Sequence, residues 1–227
     1  MIIATKTTTK TNDVADFIVS SISNQLKLDK QVLLFVAGGS VISVAVKVSE
    51  LLKNNLHHNL IQNLTITLTD ERYGKVNHID SNWHQLMEKS FSLPQAKFVP
   101  VLTGDDYKTT IAKFNMALEQ EFKRAKYKIG LFGIGKDGHT AGILPNSVAI
   151  ECKDLVCGYD TLVFSRITIT PNAIKQLDEA VVFAQGEEKW SVLENLINEN
   201  IDIMKQPTQV LKKVPLLTIF SDYKSSQ

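Results

Sequence analysis

The sequence has few of the features that mark secreted, membrane-spanning or metal-binding proteins. Its 227 residues include only two cysteines, Cys152 and Cys157, too few for a disulfide framework and without companions for a zinc site. No apolar run approaches the ~18 residues of a membrane-spanning helix, and the first residues contain no apolar signal segment. We therefore expect a soluble cytoplasmic protein with two reduced thiols.

An excess of charge of one sign is also missing. The 25 lysines and arginines nearly balance the 24 acidic residues, for a formal net charge of +1, so composition indicates neither a nucleic-acid nor a membrane partner. A small anionic substrate would need a local group of cations. Hydrophobic residues make up 44% of the chain, and no Pro/Gly/Ser-rich linker divides it, so we predict a single domain over residues 1–227.

Apolar strands alternate with amphipathic helices along the chain. Strands are predicted at Val32–Ala37, Leu64–Leu68, Val99–Leu102, Ile129–Ile134, Val163–Thr170, Ala180–Ala184 and Val214–Phe220. Helices are predicted over 41–52, from near Asp80-Ser81-Asn82, over Asp106–Arg124, after Pro171 and over Glu187–Asn198. This alternation predicts the α/β class, a three-layer Rossmann-like α/β/α fold with a mostly parallel central sheet.

Three of the predicted strands end in residues that are typical of binding and catalysis. The three tips are Gly38-Gly39-Ser40, Asp70-Glu71-Arg72 and Asp137-Gly138-His139. Open parallel sheets bind their ligands at the carboxyl ends of the strands. The sequence therefore predicts that these three tips meet at one site.

The first two tips carry groups that bind anions. Backbone N–H groups at Gly38-Gly39-Ser40 could approach a phosphate closely at the start of a helix, although a plain tight turn with a capping serine explains the same residues. The planar fork of Arg72 could bind phosphate or a developing oxyanion, with Asp70 orienting it. A solvated charged turn is the alternative for this second tip.

His139 is the candidate general base, because imidazole titrates near neutral pH and can take a proton from water. Asp137 could orient the ring. A structural or exposed histidine is the simpler alternative. The other four histidines lie in or beside polar stretches, where surface positions are expected and no pair has convincing metal-ligand spacing; they are His57, His58, His78 and His84.

Two cations later in the chain are further candidates for binding an anion. Arg166 lies on the predicted strand Val163–Thr170, and Lys189 lies in the first turn of a predicted helix. A cation in the first turn opposes the helix dipole, which indicates a bound anion. The alternative is that the long lysine side chain points into water.

The stretch Ile129–Pro145 also satisfies the dinucleotide-binding pattern G-x-G-x-x-G, through Gly133, Gly135 and Gly138. That fingerprint requires its glycine turn to open a long helix. Here Pro145 follows soon after Gly138, and the residues between them are a poor helical start. The glycines are better interpreted as support for the turn that carries Asp137 and His139, and a nicotinamide cofactor is not expected.

Taken in order, these motifs resemble those of the 6-phosphogluconolactonase family, within the larger group that contains glucosamine-6-phosphate deaminases. The matching segments are Gly38-Gly39-Ser40, Asp70-Glu71-Arg72 with Ser81-Asn82, Gly133–Ala141 with Pro145, Arg166–Thr170 and Gly186–Lys189. Since they follow the family's order across most of the chain, the resemblance implies the family's three-layer fold.

The sequence differs from the usual family motifs at two places, and two further positions distinguish it from the related deaminases. Val41-Ile42 stands where the family usually has Thr-Pro, which removes a hydroxyl that could help to bind phosphate. Gly142-Ile143-Leu144 replaces the family's Ser-Leu-Phe. The related deaminases have tyrosine in place of Arg72 and a catalytic glutamate in place of Leu144. Opening an amino-sugar ring needs that additional acid–base group, so the resemblance favours lactone hydrolysis over deamination.

The resemblance implies that the chain hydrolyses 6-phosphoglucono-1,5-lactone to 6-phosphogluconate in the oxidative pentose phosphate pathway. His139 would activate water, Asp137 and Asp70 would orient neighbouring groups, and Arg72 would stabilise charge on either the phosphate or the carbonyl oxygen. The phosphate would be held by Gly38, Gly39, Ser40, Arg166 and Lys189.

No metal and no organic cofactor are implied, because a lactone is already electrophilic. We expect a monomer or homodimer whose partner is the small-molecule phosphosugar lactone. Two alternatives stay open: another phosphosugar enzyme of the same group, such as a deaminase or isomerase, and a non-catalytic sugar-phosphate sensor. An intact base at His139 disfavours the sensor, which has no need of one.

Overall fold

The computed structural model describes residues 2–223. Its strands are β1 (Ile2–Thr7), β2 (Val32–Val36), β3 (Leu64–Leu68), β4 (Asp70–Arg72), β5 (Lys97–Val99), β6 (Tyr127–Phe132), β7 (Val156–Asp160), β8 (Ser165–Ile169), β9 (Glu179–Ala184) and β10 (Leu216–Ser221). Its α-helices are α1 (Thr11–Lys27), α2 (Ile42–Asn55), α3 (His58–Ile61), α4 (Asn82–Glu88), α5 (Tyr107–Arg124), α6 (Pro171–Ile174) and α7 (Trp190–Asn198). Short 3₁₀ helices lie at Gly39–Val41, Val148–Ile150, Glu187–Lys189 and Pro207–Lys213.

Seven strands form the central sheet, in the order β1-β10-β9-β6-β2-β3-β5. Every neighbouring pair in it is parallel, and helices cover both sides. Each residue of β2 and β3 is buried, as expected for parallel strands with both faces covered. The predicted α/β class and the mostly parallel sheet are therefore confirmed.

One continuous hydrophobic cluster fills the space between the sheet and the helices. Helix α1 shows how the sequence contributes to it: Val14, Ile18 and Ile22 recur every fourth residue and are all fully buried, which is the spacing of one helix face. That helix packs against α2. Within the described part of the chain, no helix combines the length and the apolarity needed to cross a membrane.

A second, antiparallel sheet of three strands, β4-β8-β7, lies beside the carboxyl end of β3. A solvated charged turn was the alternative interpretation of Asp70–Arg72, and the structure excludes it: these residues form β4, paired with β8. The chain stays extended after β3 because Thr69 accepts a backbone hydrogen bond from Ile169 at 2.9 Å, which starts the new ladder.

Several other elements were missed or shifted by the sequence analysis. Strands β1 and β7 and helices α1 and α3 were not predicted. The predicted strand Val99–Leu102 lies instead at Lys97–Val99, because Pro100 has no N–H to continue the ladder. The predicted Val163–Thr170 strand begins only at Ser165, since Leu162 and Val163 form an exposed hairpin tip.

We expect Leu33→Ala to lower the free energy of unfolding by about 2–5 kcal/mol, because it leaves a cavity in a tightly packed core. Leu33 is fully buried on β2, an interior strand of the central sheet, whereas Leu162 is fully exposed. Leu162→Ala is the matched control and should stay within about 0.5 kcal/mol of the parent protein. Urea unfolding measures both; equal losses would contradict the described core.

Candidate active site

A cavity of about 240 Å³ opens where the predicted tips meet, beyond the carboxyl ends of β2, β3 and β6. It is lined by Ala37, Gly38, Gly39, Ser40, Asp70, Arg72, Asn82, Gly133, Ile134, His139, Ala141 and Arg166. The structure therefore brings most of the predicted site residues into a single cavity. Asp137 joins them through its contact with His139.

The glycine turn after β2 forms one wall of this cavity. Gly39 has a φ of +67°, a left-handed conformation that glycine adopts without steric cost. The turn continues through a 3₁₀ helix into α2, and the first residues of a helix have N–H groups without intrahelical acceptors. Val41, the departure from the family pattern, is fully buried in the core. Its apolar side chain is therefore accommodated by packing.

His139 and Asp137 form a hydrogen-bonded pair at the tip of β6. His139 Nδ1 lies 2.6 Å from Asp137 Oδ1, and the His139 backbone N–H donates to the same oxygen at 3.2 Å. Because a carboxylate only accepts hydrogen bonds, this contact places a proton on Nδ1. In the neutral ring Nε2 is then the unprotonated nitrogen, which is the form that a general base requires.

Gly135 leaves the space that this pair occupies. A Cβ at this position would lie 2.1 Å from His139 Nδ1 and 2.5 Å from Asp137 Oδ1. Any side chain would therefore displace the imidazole or the carboxylate. Gly135, one of the three glycines that resemble a dinucleotide fingerprint, thus lets the Asp137–His139 pair lie against the backbone.

The environment of Asp137 keeps its carboxyl ionised. Partial burial raises its pKa, but the charge of His139 and the hydrogen bonds from His139 outweigh burial, and the pKa lies below its usual value. An ionised Asp137 can stabilise the positive charge that His139 gains when it accepts a proton.

Backbone contacts hold the loop that carries His139. Gly135 N–H donates to the His139 carbonyl at 3.0 Å, and Thr208 N–H donates to the Gly138 carbonyl at 3.0 Å. Thr140 Oγ1 donates to the Gly133 carbonyl, also at 3.0 Å. The loop is therefore closed on itself and tied to a distant segment, which limits the movement of the imidazole.

Tyr159 on β7 supports the continuation of this loop. Its hydroxyl donates to the Gly142 carbonyl and accepts from the Leu144 N–H at 3.2 Å. Thr168 on β8 adds a contact, since its Oγ1 accepts from the Gly142 N–H at 3.0 Å. The small sheet thus braces the loop that follows His139. Sequence analysis missed Tyr159 because β7 has no clear alternating pattern.

Arg72 and Arg166 lie directly opposite each other on β4 and β8. Opposed residues of an antiparallel pair project from the same face, where like charges repel. Within the described residues, the Nε atoms of both arginines are buried without hydrogen-bond partners. Two adjacent cations with unused donors, both lining the cavity, are the arrangement that binds an anion.

Other contacts fix the two guanidinium groups. Arg72 Nη1 donates to the Asp80 carbonyl at 3.0 Å, and its guanidinium lies 4.7 Å from the centre of the Phe164 ring, a cation–π distance. Arg166 Nη1 lies 3.6 Å from Asp70 Oδ2. Both arginines are therefore held in place by protein contacts and need little reordering to bind an anion.

Asp70 is buried on the same face as the two arginines. Burial raises the pKa of its carboxyl above the usual value, and the charge of Arg166 is the largest of several opposing effects. Asn82 Nδ2 donates to the Asp70 backbone carbonyl at 2.9 Å. Asp70 is thus placed to orient Arg166. The sequence had predicted that it would orient Arg72 or a neighbouring group.

Glu71 points away from the cavity face and joins β4 to the start of α4. Its fully buried carboxylate accepts four hydrogen bonds, from Arg72 N at 2.7 Å, Ser81 Oγ at 2.8 Å, Asn82 N at 2.7 Å and Trp83 N at 3.0 Å. Burial raises its pKa, and these hydrogen bonds oppose that shift. The sequence showed Glu71 only as a charged neighbour of Arg72, because its other three partners lie ten to twelve residues away.

Lys189 is the one predicted phosphate-binding residue that does not line the cavity. It ends the 3₁₀ helix after β9 and lies close to Asp222. The pKa of Asp222 is raised by slight burial, but it is lowered overall by hydrogen bonds from Gly186 and Trp190 and by the charge of Lys189. The contribution of Lys189 to phosphate binding stays a prediction.

The sequence matches the family model described as glucosamine-6-phosphate isomerases/6-phosphogluconolactonase over residues 6–218. Among curated relatives, the 6-phosphogluconolactonase of Helicobacter pylori strain 26695 is 32% identical over 183 residues, which covers 77% of this chain and 76% of the relative. The family-model match includes the three strand tips of the cavity wall.

Solved structures share the fold at lower identity. A crystal structure of a 6-phosphogluconolactonase from Shewanella baltica matches with a TM-score of 0.80 and 21% identity, covering 97% of this chain and 98% of that chain. A monomeric glucosamine-6-phosphate deaminase matches with a TM-score of 0.77 and 17% identity, covering 96% of both chains. Since both enzyme types fit nearly as well, the shape of the fold does not separate their chemistries.

We expect Glu71→Gln to destabilise the protein by at least about 1–3 kcal/mol, because an amide NH₂ would replace one acceptor oxygen and leave buried donors unpaired. Glu88→Gln makes the same change at an exposed position of α4 and should cost less than about 0.5 kcal/mol. Denaturant unfolding at neutral pH compares the two. A Glu71→Gln variant as stable as Glu88→Gln would show that the four hydrogen bonds do not stabilise the fold.

Proposed function

We propose that this chain, which belongs to the glucosamine-6-phosphate isomerase/6-phosphogluconolactonase family, hydrolyses 6-phospho-D-glucono-1,5-lactone to 6-phospho-D-gluconate, a step of the oxidative pentose phosphate pathway. The curated relatives named 6-phosphogluconolactonase support this activity. The observation that carries the proposal is the single cavity in which a carboxylate-paired histidine lies beside two opposed arginines.

The two arginines suit the phosphate of the substrate. A phosphate carries up to two negative charges and accepts paired hydrogen bonds from guanidinium groups. It would relieve the repulsion between Arg72 and Arg166 and give both buried Nε–H groups a partner. The turn at Gly38, Gly39 and Ser40, on the same cavity wall, would add backbone N–H donors. The pairing with Arg166 therefore favours the phosphate, not the carbonyl oxygen, as the partner of Arg72.

His139 would act as the general base. Nε2 takes a proton from a water molecule as the water oxygen attacks the lactone carbonyl carbon. The tetrahedral intermediate then collapses, the bond to the ring oxygen breaks, and His139 returns the proton to that oxygen. Asp137 stabilises the imidazolium between these steps. These reaction steps need no metal, because the lactone carbonyl is already electrophilic.

Leu144 and Arg72 favour hydrolysis of a lactone over deamination of an amino sugar. Leu144 carries no acid–base group, and its N–H is bound by Tyr159, so it cannot take the part of a catalytic glutamate. The lactone loses no nitrogen and needs no proton transfer between carbons, which makes one base sufficient. Protein incubated with glucosamine 6-phosphate is therefore expected to release no ammonia.

The cytoplasmic location and the monomeric or homodimeric state stay predictions.

The direct test generates the lactone in situ and measures its decay with and without protein. We expect acceleration over the spontaneous rate, and His139→Ala should lower kcat by roughly 10²–10⁴-fold, the usual contribution of a general base. His58→Ala, at an exposed position, is the matched control and should leave the rate unchanged. A parent protein that binds 6-phosphogluconate without accelerating decay would instead be a sensor.

Removing either cavity arginine should mainly weaken substrate binding. A charge-assisted hydrogen bond is worth about 1.5–3 kcal/mol, so Arg166→Ala and Arg72→Ala should each raise KM by roughly 10- to 150-fold with a smaller change in kcat. Arg124→Ala removes an arginine from the end of α5 and serves as the charge-matched control. A loss confined to kcat at Arg72 would assign that residue to the carbonyl oxygen.

A further inference from the structure

Asp70 and Glu71 are neighbouring carboxyl groups on β4 that differ in their hydrogen bonds. Glu71 accepts from four donors. The Asp70 side chain is only 8% exposed, yet within residues 2–223 its carboxyl accepts a single hydrogen bond, from Thr69 Oγ1 at 3.0 Å. A buried carboxylate stays ionised only if donors or opposite charges replace its lost hydration. Asp70 therefore depends on the charged groups around it.

The charged and titratable groups that face Asp70 come from four elements. They are Arg72 on β4, Arg166 on β8, His139 in the loop after β6 and Tyr159 on β7. Arg166 comes close enough for an ion pair, with Nη1 3.6 Å from Asp70 Oδ2. The Tyr159 hydroxyl binds the carbonyl of Gly142, which packs against Asp70, since a Cβ on this glycine would lie 3.0 Å from Asp70 Cβ. The permanent positive charges in this set are the two arginines.

The same two arginines are the groups assigned above to the phosphate. A phosphate monoester bound to them would bring up to two negative charges into the cavity that Asp70 lines, and like charges disfavour ionisation. Burial already raises the pKa of the Asp70 carboxyl, and the charge of Arg166 is the largest effect that opposes burial. Because the phosphate would offset that charge, the pKa of Asp70 rises further in the complex.

We propose that Asp70 takes up a proton from solvent when a phosphate monoester binds to Arg72 and Arg166, an inference that rests on the proposed function of the cavity. The neutral carboxyl no longer repels the phosphate. It also changes from a group that only accepts hydrogen bonds to one with an O–H donor, which can bind an oxygen of the ligand. Asp70 is thus a positioning residue that makes the affinity for the substrate depend on pH.

Proton uptake fixes the direction of this pH dependence. Affinity is highest at a pH where Asp70 is protonated in both the free protein and the complex. As the pH rises above the pKa of Asp70 in the free protein, Kd increases by about tenfold per pH unit, and it levels off above the pKa in the complex. The second pKa of a phosphate monoester is about 6, so between about pH 7 and pH 9 the ligand contributes little titration of its own.

The test uses glucitol 6-phosphate, a phosphate monoester with neither a carbonyl to hydrolyse nor a carboxylate. Titration calorimetry in buffers of different ionisation enthalpy measures the protons taken up on binding, at several pH values in this range. We expect uptake that rises to a maximum of about one proton. Asp70→Asn keeps the shape of the side chain but should lose this uptake, and its Kd should vary less with pH.

Two control variants and one spectroscopic measurement complete the test. His139→Ala should keep the uptake, which separates Asp70 from the imidazole. Asp16→Asn makes the same change at an exposed position of α1 and should behave as the parent protein. An infrared difference spectrum of the parent protein, with and without the ligand, needs no variant, and a band of a protonated carboxyl should appear on binding.

The outcomes distinguish this inference from the proposed function. Binding of the monoester without proton uptake and without the carboxyl band, or equal uptake by Asp70→Asn and the parent protein, would overturn the role of Asp70 and leave the phosphate site intact. A parent protein that does not bind the monoester would contradict the phosphate site and this inference together.

Discussion

The antiparallel register between β4 and β8 places Arg72 directly opposite Arg166, and the rest of the cavity is arranged around these two cations. Two half-buried guanidinium groups on one face repel each other, and within the described residues the buried Nε atoms of both have no hydrogen-bond partner. The fold tolerates this because Asp70 lies 3.6 Å from Arg166 and the ring of Phe164 lies under Arg72. The remaining positive charge and the unused donors are available to a bound anion.

The small sheet provides two kinds of support, one on each of its faces. Alternate residues of a strand project to opposite faces, so Asp70 and Arg72 face the cavity while Glu71 faces the start of α4. Glu71 there binds the Ser81, Asn82 and Trp83 donors, and this fixes β4 against the main fold. The two cavity arginines are therefore positioned with the help of a buried carboxylate, that of Glu71, which does not itself line the cavity.

The sequence predicted the parts of the molecule that depend on local patterns. Apolar runs revealed β2, β3 and β6, and the strand-end rule led to the groups that share the cavity, including His139. The pairing of Arg72 with Arg166 could not be predicted, because it depends on a ladder between segments more than ninety residues apart. Tyr159 was missed because β7 has no clear alternating pattern, and the hydrogen bonds of Glu71 were missed because three of its donors lie ten to twelve residues further along the chain. Lys189 shows that motif order alone does not place a side chain in a cavity.

The central claim is that the arginine pair binds the phosphate while the Asp137–His139 pair faces the carbon that reacts. A crystal structure with bound 6-phosphogluconate tests it most directly. The account predicts phosphate oxygens within hydrogen-bond distance of Nε of both Arg72 and Arg166, and the product carboxylate beside His139. A product bound in the opposite direction, with its phosphate at His139, or a phosphate that contacts neither arginine, would contradict it.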